Sequence, residues 1–251
     1  MEDTRNCRGP APVDARQPIW GVIGGMGPRA SAEFLTTIYS YGAAMPEQAA
    51  PRVILLSDPS FPDRTECLLA GKRDLLIEPL ERRLAQLRDL GATHTIICCM
   101  TMHELLPSLA DRTGIISLLD VMLTAIIETD APCLLLCTNG VRKCRLFENH
   151  RLWAAVRRNV ILPEDQDQRA IHEMIYEIKI GKCTPAHSDY LTALRQRYRV
   201  RTLGAGCTEF HLLSRAMARS QAPKSFTWID PLTLLAARIA AGRIDPQLSA
   251  A

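Results

Sequence analysis

The sequence predicts an α/β protein built on parallel sheet. Two observations carry this: short apolar runs, each followed by a turn or helix signal, and intervening segments with apolar residues at helical spacing. A third bounds the size, since 251 residues with 47% hydrophobic content supply a sizeable core in one large domain or two small ones. A stapled peptide and a disordered chain are excluded.

The runs expected as strands are, in order, Ile19–Ile23, Val53–Ser57, Thr95–Cys98, Ile115–Ser117, Cys133–Cys137, Val160–Leu162, Thr202–Ala205 and Thr227–Ile229. Between them, Leu80, Leu84 and Leu87 form one helical stripe and Ile171, Met174, Ile175 and Ile178 another, the latter after an acidic start at Glu164–Asp167 that suits a helix N-terminus. No Pro/Gly-rich linker interrupts the chain, so any two lobes must share an interface. The halves echo each other: Thr95–Cys99 with Thr101, and Thr202–Cys207 with Thr208, each put a strand ahead of cysteine and threonine.

Charge narrows the partners. Thirty Lys and Arg against 27 Asp and Glu give +3 with no long like-charged run, so a nucleic acid is not an expected partner. No apolar run reaches the length of a membrane span, and residues 1–17 are polar without the apolar core of a secretory signal. A soluble cytoplasmic protein with a flexible N-terminal tail over 1–17 is expected. The nine cysteines lack the paired spacing of a zinc site, which fits free thiols in a reducing compartment.

Four segments invite chemistry, each with a plainer alternative. Gly24-Gly25-Met26-Gly27-Pro28 is a strand-to-helix turn, with Pro28 suited to the first helical position before Ala30–Tyr39. It is not G-x-G-x-x-G, and the first acidic residue at a second strand end is Asp58, too distant for a dinucleotide ribose contact. A ligand-adjacent loop is the better reading. In Ser57–Thr65, two prolines stiffen a loop at a strand's C-terminal end, where α/β sheets bind ligands. Arg64 there could clamp a carboxylate or simply pair with Asp63.

Cys98-Cys99-Met100-Thr101-Met102-His103 and Gly206-Cys207-Thr208-Glu209 each follow a strand and precede a helix, an environment that favours a thiolate. Strand alternation sends Cys98 and Cys99 to opposite faces, so only one can reach a cleft. Either cysteine alone reads more readily as buried filler than as a reactive group, and it is their equivalent positions in the two halves that shift the balance. Lys179, near a helix end marked by Gly181, reads as a cation against the helix dipole, and His103 as a turn cap.

Together these segments resemble the aspartate/glutamate racemase family, the cofactor-independent amino-acid racemases. The resemblance runs from Trp20 to Arg243 through Gly24–Pro28, Pro62-Asp63-Arg64-Thr65, Cys99–His103, Thr138-Asn139-Gly140, Lys179, Gly206–Glu209 and Ile229-Asp230-Pro231. Ile171–Tyr176 and Gly206–Leu213 look most similar to the aspartate racemases of microcystin-type peptide pathways. The resemblance implies two Rossmann-like lobes, each a mainly parallel sheet flanked by helices, with the active site in the cleft between them. Residues 18–118 with 225–251 would form the N-terminal lobe and 119–224 the C-terminal lobe.

It further implies Cys99 and Cys207 as the catalytic pair, and Arg64 and Lys179 as anchors for an acidic amino-acid substrate. Met26, Gly27, Met100, Thr101, Thr138 and Thr208 would line the substrate, His103 and Glu209 would stand behind, and a homodimer without pyridoxal phosphate or metal would result. The two-base reaction moves one proton off Cα and another onto its opposite face, interconverting L- and D-aspartate or a related acidic amino acid. Two departures stand out: Met100 occupies a position usually held by Asn next to the substrate, and Val141 one often held by Thr. A thioether cannot replace an amide's hydrogen bonds. The alternatives are a related isomerase or decarboxylase, or a non-catalytic acidic amino-acid binder.

Overall fold

A computed structural model describes residues 17–43, 45–220 and 226–242. The tail expected over 1–17 lies outside these residues except for Gln17. Among the described residues, eight strands form two parallel sheets of four. The first joins β1 (Ile19–Gly24), β2 (Arg52–Ser57), β3 (His94–Ile97) and β4 (Ile115–Ile116) in the order β2-β1-β3-β4. The second joins β5 (Cys133–Leu136), β6 (Val160–Ile161), β7 (Thr202–Ala205) and β8 (Thr227–Ile229) in the order β6-β5-β7-β8. The sheets thus share one topology, which turns the loose sequence echo into a structural equivalence: β3 and β7 hold the same place.

Helices follow their local signals. Pro28 opens α1 (Pro28–Tyr41), and the Asp63 carboxylate accepts from the Glu66 N–H to start α2 (Arg64–Leu69). Helix α3 (Asp74–Asp89) buries Leu76, Leu80, Leu84 and Leu87 at the predicted spacing. Ser117, expected at the end of a strand, instead caps α4 (Leu118–Thr129) by accepting from the Asp120 N–H. Thr138 caps α5 (Asn139–Lys143) in the same way. After α6 (Trp153–Val156), helix α7 (Asp165–Lys179) buries Ile171, Met174, Ile175 and Ile178. Then come α8 (Pro185–Arg197), α9 (Phe210–Arg219) and α10 (Pro231–Ala240), the last opened by Pro231 and capped by Asp230. No helix among the described residues is long and apolar enough to cross a membrane.

The two sheets are not separate beads. One apolar cluster runs from Trp20, Val22 and Ile96 on the first sheet to Cys133 and Leu135 on the second, with α4 and α10 within it. The C-terminal segment, expected to belong wholly to the first lobe, is shared: β8 pairs with β7 in the second sheet, while α10 packs on α1 of the first. Thr37 on α1 also meets His211 on α9 at 3.0 Å inside the protein.

Candidate active site

The C-terminal ends of the strands converge on one group of side chains. In each sheet the third strand ends two residues before a cysteine: β3 at Ile97 before Cys99, β7 at Ala205 before Cys207. Cys99 begins a 3₁₀ helix over Met100–Ser108, and Cys207 lies just ahead of α9. Both are buried, at 6% and 4% exposure, although the surrounding loops come from both halves of the chain.

The doublet divides as alternation requires. Cys98 packs in the cluster with Trp20 and Val22, and burial pushes its thiol well above the usual range, with Glu209, Cys99 and Asp230 adding to the effect. Cys99 packs on the opposite side with Ile23, Met26 and Phe61. It is Cys99 that faces Arg64. Burial would lower the Arg64 pKa, but it is raised on balance by Cys99, Asp63 and Glu209 nearby and by a hydrogen bond with Cys99.

Arg64 is held by backbone and not by the Asp63 pairing that the sequence allows. Its Nη1 donates to the carbonyls of Phe61 at 3.4 Å and Pro62 at 3.0 Å, and its Nη2 to Met26 at 3.0 Å. A guanidinium has five N–H donors. With three committed to carbonyls and one turned to Cys99, one remains.

Cys207 has the opposite electrostatic setting. Its Sγ donates to Glu209 Oε2 at 2.8 Å. Burial raises the thiol far above its usual range, Glu209 raises it further, and Lys179 pulls the other way. Glu209 is itself buried at 2%, and its Oε1 has no hydrogen-bond partner. Gly27 makes room for it, because a Cβ there would stand 2.4 Å from Oε1. The carboxylate therefore occupies the approach that a phosphate would need over the glycine loop, which is a physical reason why this loop is no dinucleotide site. Gly25, at φ +92°, has its own approach closed by the Asp58 backbone, from which a Cβ would stand only 2.3 Å away.

Lys179 lies at the end of α7, with Nζ 4.0 Å from Asp63 Oδ2 and 4.0 Å from the centre of the Tyr176 ring. Tyr176 donates to Asp63 at 2.7 Å. Sequence reasoning misses Tyr176. His172, Tyr176 and Lys179 recur at i, i+4 and i+7, a polar stripe opposite the apolar one, and that spacing is the available signal.

The threonines join the two halves. Thr101 and Thr138 hydroxyls lie 3.4 Å apart, and Thr208 reaches the Cys98 carbonyl at 3.5 Å. His103 Nε2 accepts from the Leu118 N–H at 3.0 Å, so the proton of the neutral ring is on Nδ1, which donates to the Cys99 carbonyl at 3.0 Å. Burial lowers its pKa to about 4, despite the bond to Cys99. His103 is thus a brace for the Cys99 backbone. Met100 is 1% exposed and packs in the apolar cluster with Cys98 and Leu118.

A family model described as Asp/Glu/Hydantoin racemase matches residues 23–239. Among solved structures, the fold is similar to Picrophilus torridus aspartate racemase, with a TM-score of 0.75, 22% identity, and coverage of 92% of this chain and 97% of that one. An aspartate racemase homologue from Pyrococcus horikoshii aligns with a TM-score of 0.66 at 16% identity, covering 90% of this chain and 98% of the other. Glutamate racemase from Francisella tularensis, in complex with D-glutamate, aligns with a TM-score of 0.61 at 12% identity, covering 90% and 80% respectively. At these identities the likeness establishes the fold.

Proposed function

Because the chain belongs to the Asp/Glu/hydantoin racemase family, we propose that it interconverts L- and D-aspartate by two-base proton transfer at Cα, with Cys99 and Cys207 as the bases. The observation that carries this reading is the equivalence of the two cysteines at the ends of the third strands of topologically identical sheets, with a cation against one and a carboxylate against the other.

The asymmetry sets the resting protons. Cys99 faces the Arg64 guanidinium, whereas a thiolate at position 207 would face Glu209, so Cys207 holds its proton as a thiol. With one enantiomer bound, Cys99 removes the Cα proton and Cys207 returns one to the opposite face. With the other enantiomer the roles exchange, and Glu209 sets the proton balance at Cys207 by accepting its hydrogen bond. The Cα–H is a very weak acid, so the developing negative charge needs fixed positive groups in a site shielded from water. The Arg64 guanidinium, with its remaining N–H, and the ammonium of Lys179 meet that need and take the two carboxylates of the substrate. Lys179 would exchange its 4.0 Å contact with Asp63 for the substrate. This chemistry uses side chains alone.

Proton NMR of L-Asp, D-Asp, L-Glu and D-Glu with the protein in D2O tests the reading directly. Loss of the Cα proton signal from both enantiomers of aspartate, faster than from glutamate, is the expected result. Retention of the Cα proton in all four would sink the proposal. Exchange with glutamate alone would correct the substrate.

A further inference from the structure

A concave site lies away from the cysteines. It follows the outer edge of the second sheet along β8, between α9 and α10, and encloses about 640 Å³, within the range of small-molecule sites. Its lining includes Arg201, which precedes β7, whereas Cys207 follows the other end of that strand. Arg195 from the last turn of α8 and Arg215 from α9 complete a set of three guanidiniums. Trp228 forms an apolar wall.

The three arginines have no carboxylate partner among the described residues. Nε of Arg195 and Nε of Arg215 are buried without a hydrogen-bond partner, and Arg215 lies 5.7 Å from the centre of the Tyr41 ring. The pocket does contain one carboxylate, Asp230, but its oxygens are already committed. Oδ2 accepts from Ser214 and from Thr233 at 2.7 Å and pairs with His211 at 2.7 Å, while Oδ1 accepts from the Leu232 and Thr233 N–H groups. The acceptor sites of Asp230 are thus taken up by these neighbours, none of which is one of the three arginines.

Three arginines lining one pocket offer more positive charge than a single carboxylate requires. They suit a phosphate monoester, which carries about two negative charges and three strong acceptor oxygens. The volume leaves room for a body beyond the phosphate, against Trp228. We propose that this cavity is a second ligand site, separate from the cysteine cleft, which takes a phosphorylated small molecule through Arg195, Arg201 and Arg215. It stands independently of the chemistry proposed for the cleft.

Titration of the full chain with adenosine monophosphate and with inorganic pyrophosphate, followed by calorimetry and by tryptophan fluorescence, tests the site. Adenosine serves as the unphosphorylated control and citrate as the carboxylate control. Saturable binding of at least one phosphorylated probe is expected, with adenosine and citrate much weaker. Arg201→Ala and Arg215→Ala should each weaken it by about tenfold or more, the scale of a lost charged hydrogen bond. Arg201 is exposed, so its loss leaves the fold intact and keeps the test meaningful. Saturating aspartate and Arg64→Ala should leave binding unchanged. Absence of saturable binding by both probes would overturn the proposal, as would equal binding of citrate. Displacement by aspartate, or loss in Arg64→Ala with no effect of the pocket variants, would assign the anion to the cleft and overturn it too.

Discussion

Replacing Arg64 separates the carboxylate binding proposed for it from its tying of loops together. Three of its five N–H donors hold the carbonyls of Phe61, Pro62 and Met26, which belong to the loops after β2 and β1. Arg64→Ala leaves these carbonyls without that donor. The side chain is half-buried and water can reach some of them, so the cost is about 0.5–1 kcal/mol each, or about 2 kcal/mol in all. For a chain of this size that lowers Tm by about 4–8 °C. Activity should fall further, because a charged hydrogen bond to a substrate carboxylate is worth about 1.5–3 kcal/mol, or about 10- to 150-fold in kcat/KM. Arg64→Lys keeps the charge but can either replace one carbonyl bond or meet the substrate. It should recover part of the Tm loss while its kcat/KM stays closer to the alanine variant than to wild type. Thermal unfolding and steady-state racemisation of aspartate, measured on all three proteins, decide the matter. A Tm unchanged within about a degree in Arg64→Ala would refute the bracing role, and a lysine variant with wild-type kcat/KM would refute the need for a guanidinium.

Cys99→Ala and Cys207→Ala should each nearly abolish Cα deuterium exchange, whereas Cys98→Ala, altered on the core side of the doublet, should keep most of it; loss in the Cys98 variant with retention in the Cys99 variant would reverse the assignment. His103, with its pKa lowered to about 4 against an unfolded value near 6.5, is neutral in the fold where the unfolded chain binds a proton. Stability from this group is complete above about pH 6.5 and is lost as pH falls through about 4, a total of about 3 kcal/mol. Urea unfolding across this window should therefore give a shallower pH dependence in His103→Gln, and parallel curves would reject the assignment. Met100→Asn places an amide in an apolar cluster and should lower stability by about 1–3 kcal/mol while leaving the kcat/KM ratio of aspartate to β-methylaspartate unchanged. A shift of that ratio toward aspartate would mean that residue 100 senses the substrate side chain.

By itself the sequence determined the parts governed by local rules. All eight apolar runs became strands, and the leucine and isoleucine stripes became the buried faces of α3 and α7, because a two-residue or 3.6-residue period is written in neighbouring positions. The opposite orientation of Cys98 and Cys99 followed from the same periodicity. Residues that act as a motif, such as Arg64 and Gly206–Glu209, were legible through resemblance. What depends on distant segments was decided only in three dimensions. The β8 run looks like any other strand, and its pairing with β7 comes from sheet assembly across the intervening helix α9. Arg64 sits beside Asp63 in sequence but bonds to backbone carbonyls, one of them contributed by Met26. Glu209 needs the missing side chain of Gly27, and Lys179 and Tyr176 gather around Asp63 more than a hundred positions earlier in the chain. The charge environment of each cysteine arises from these meetings. Coulombic and hydrogen-bond energies depend on separation in space, and chain order alone does not encode it.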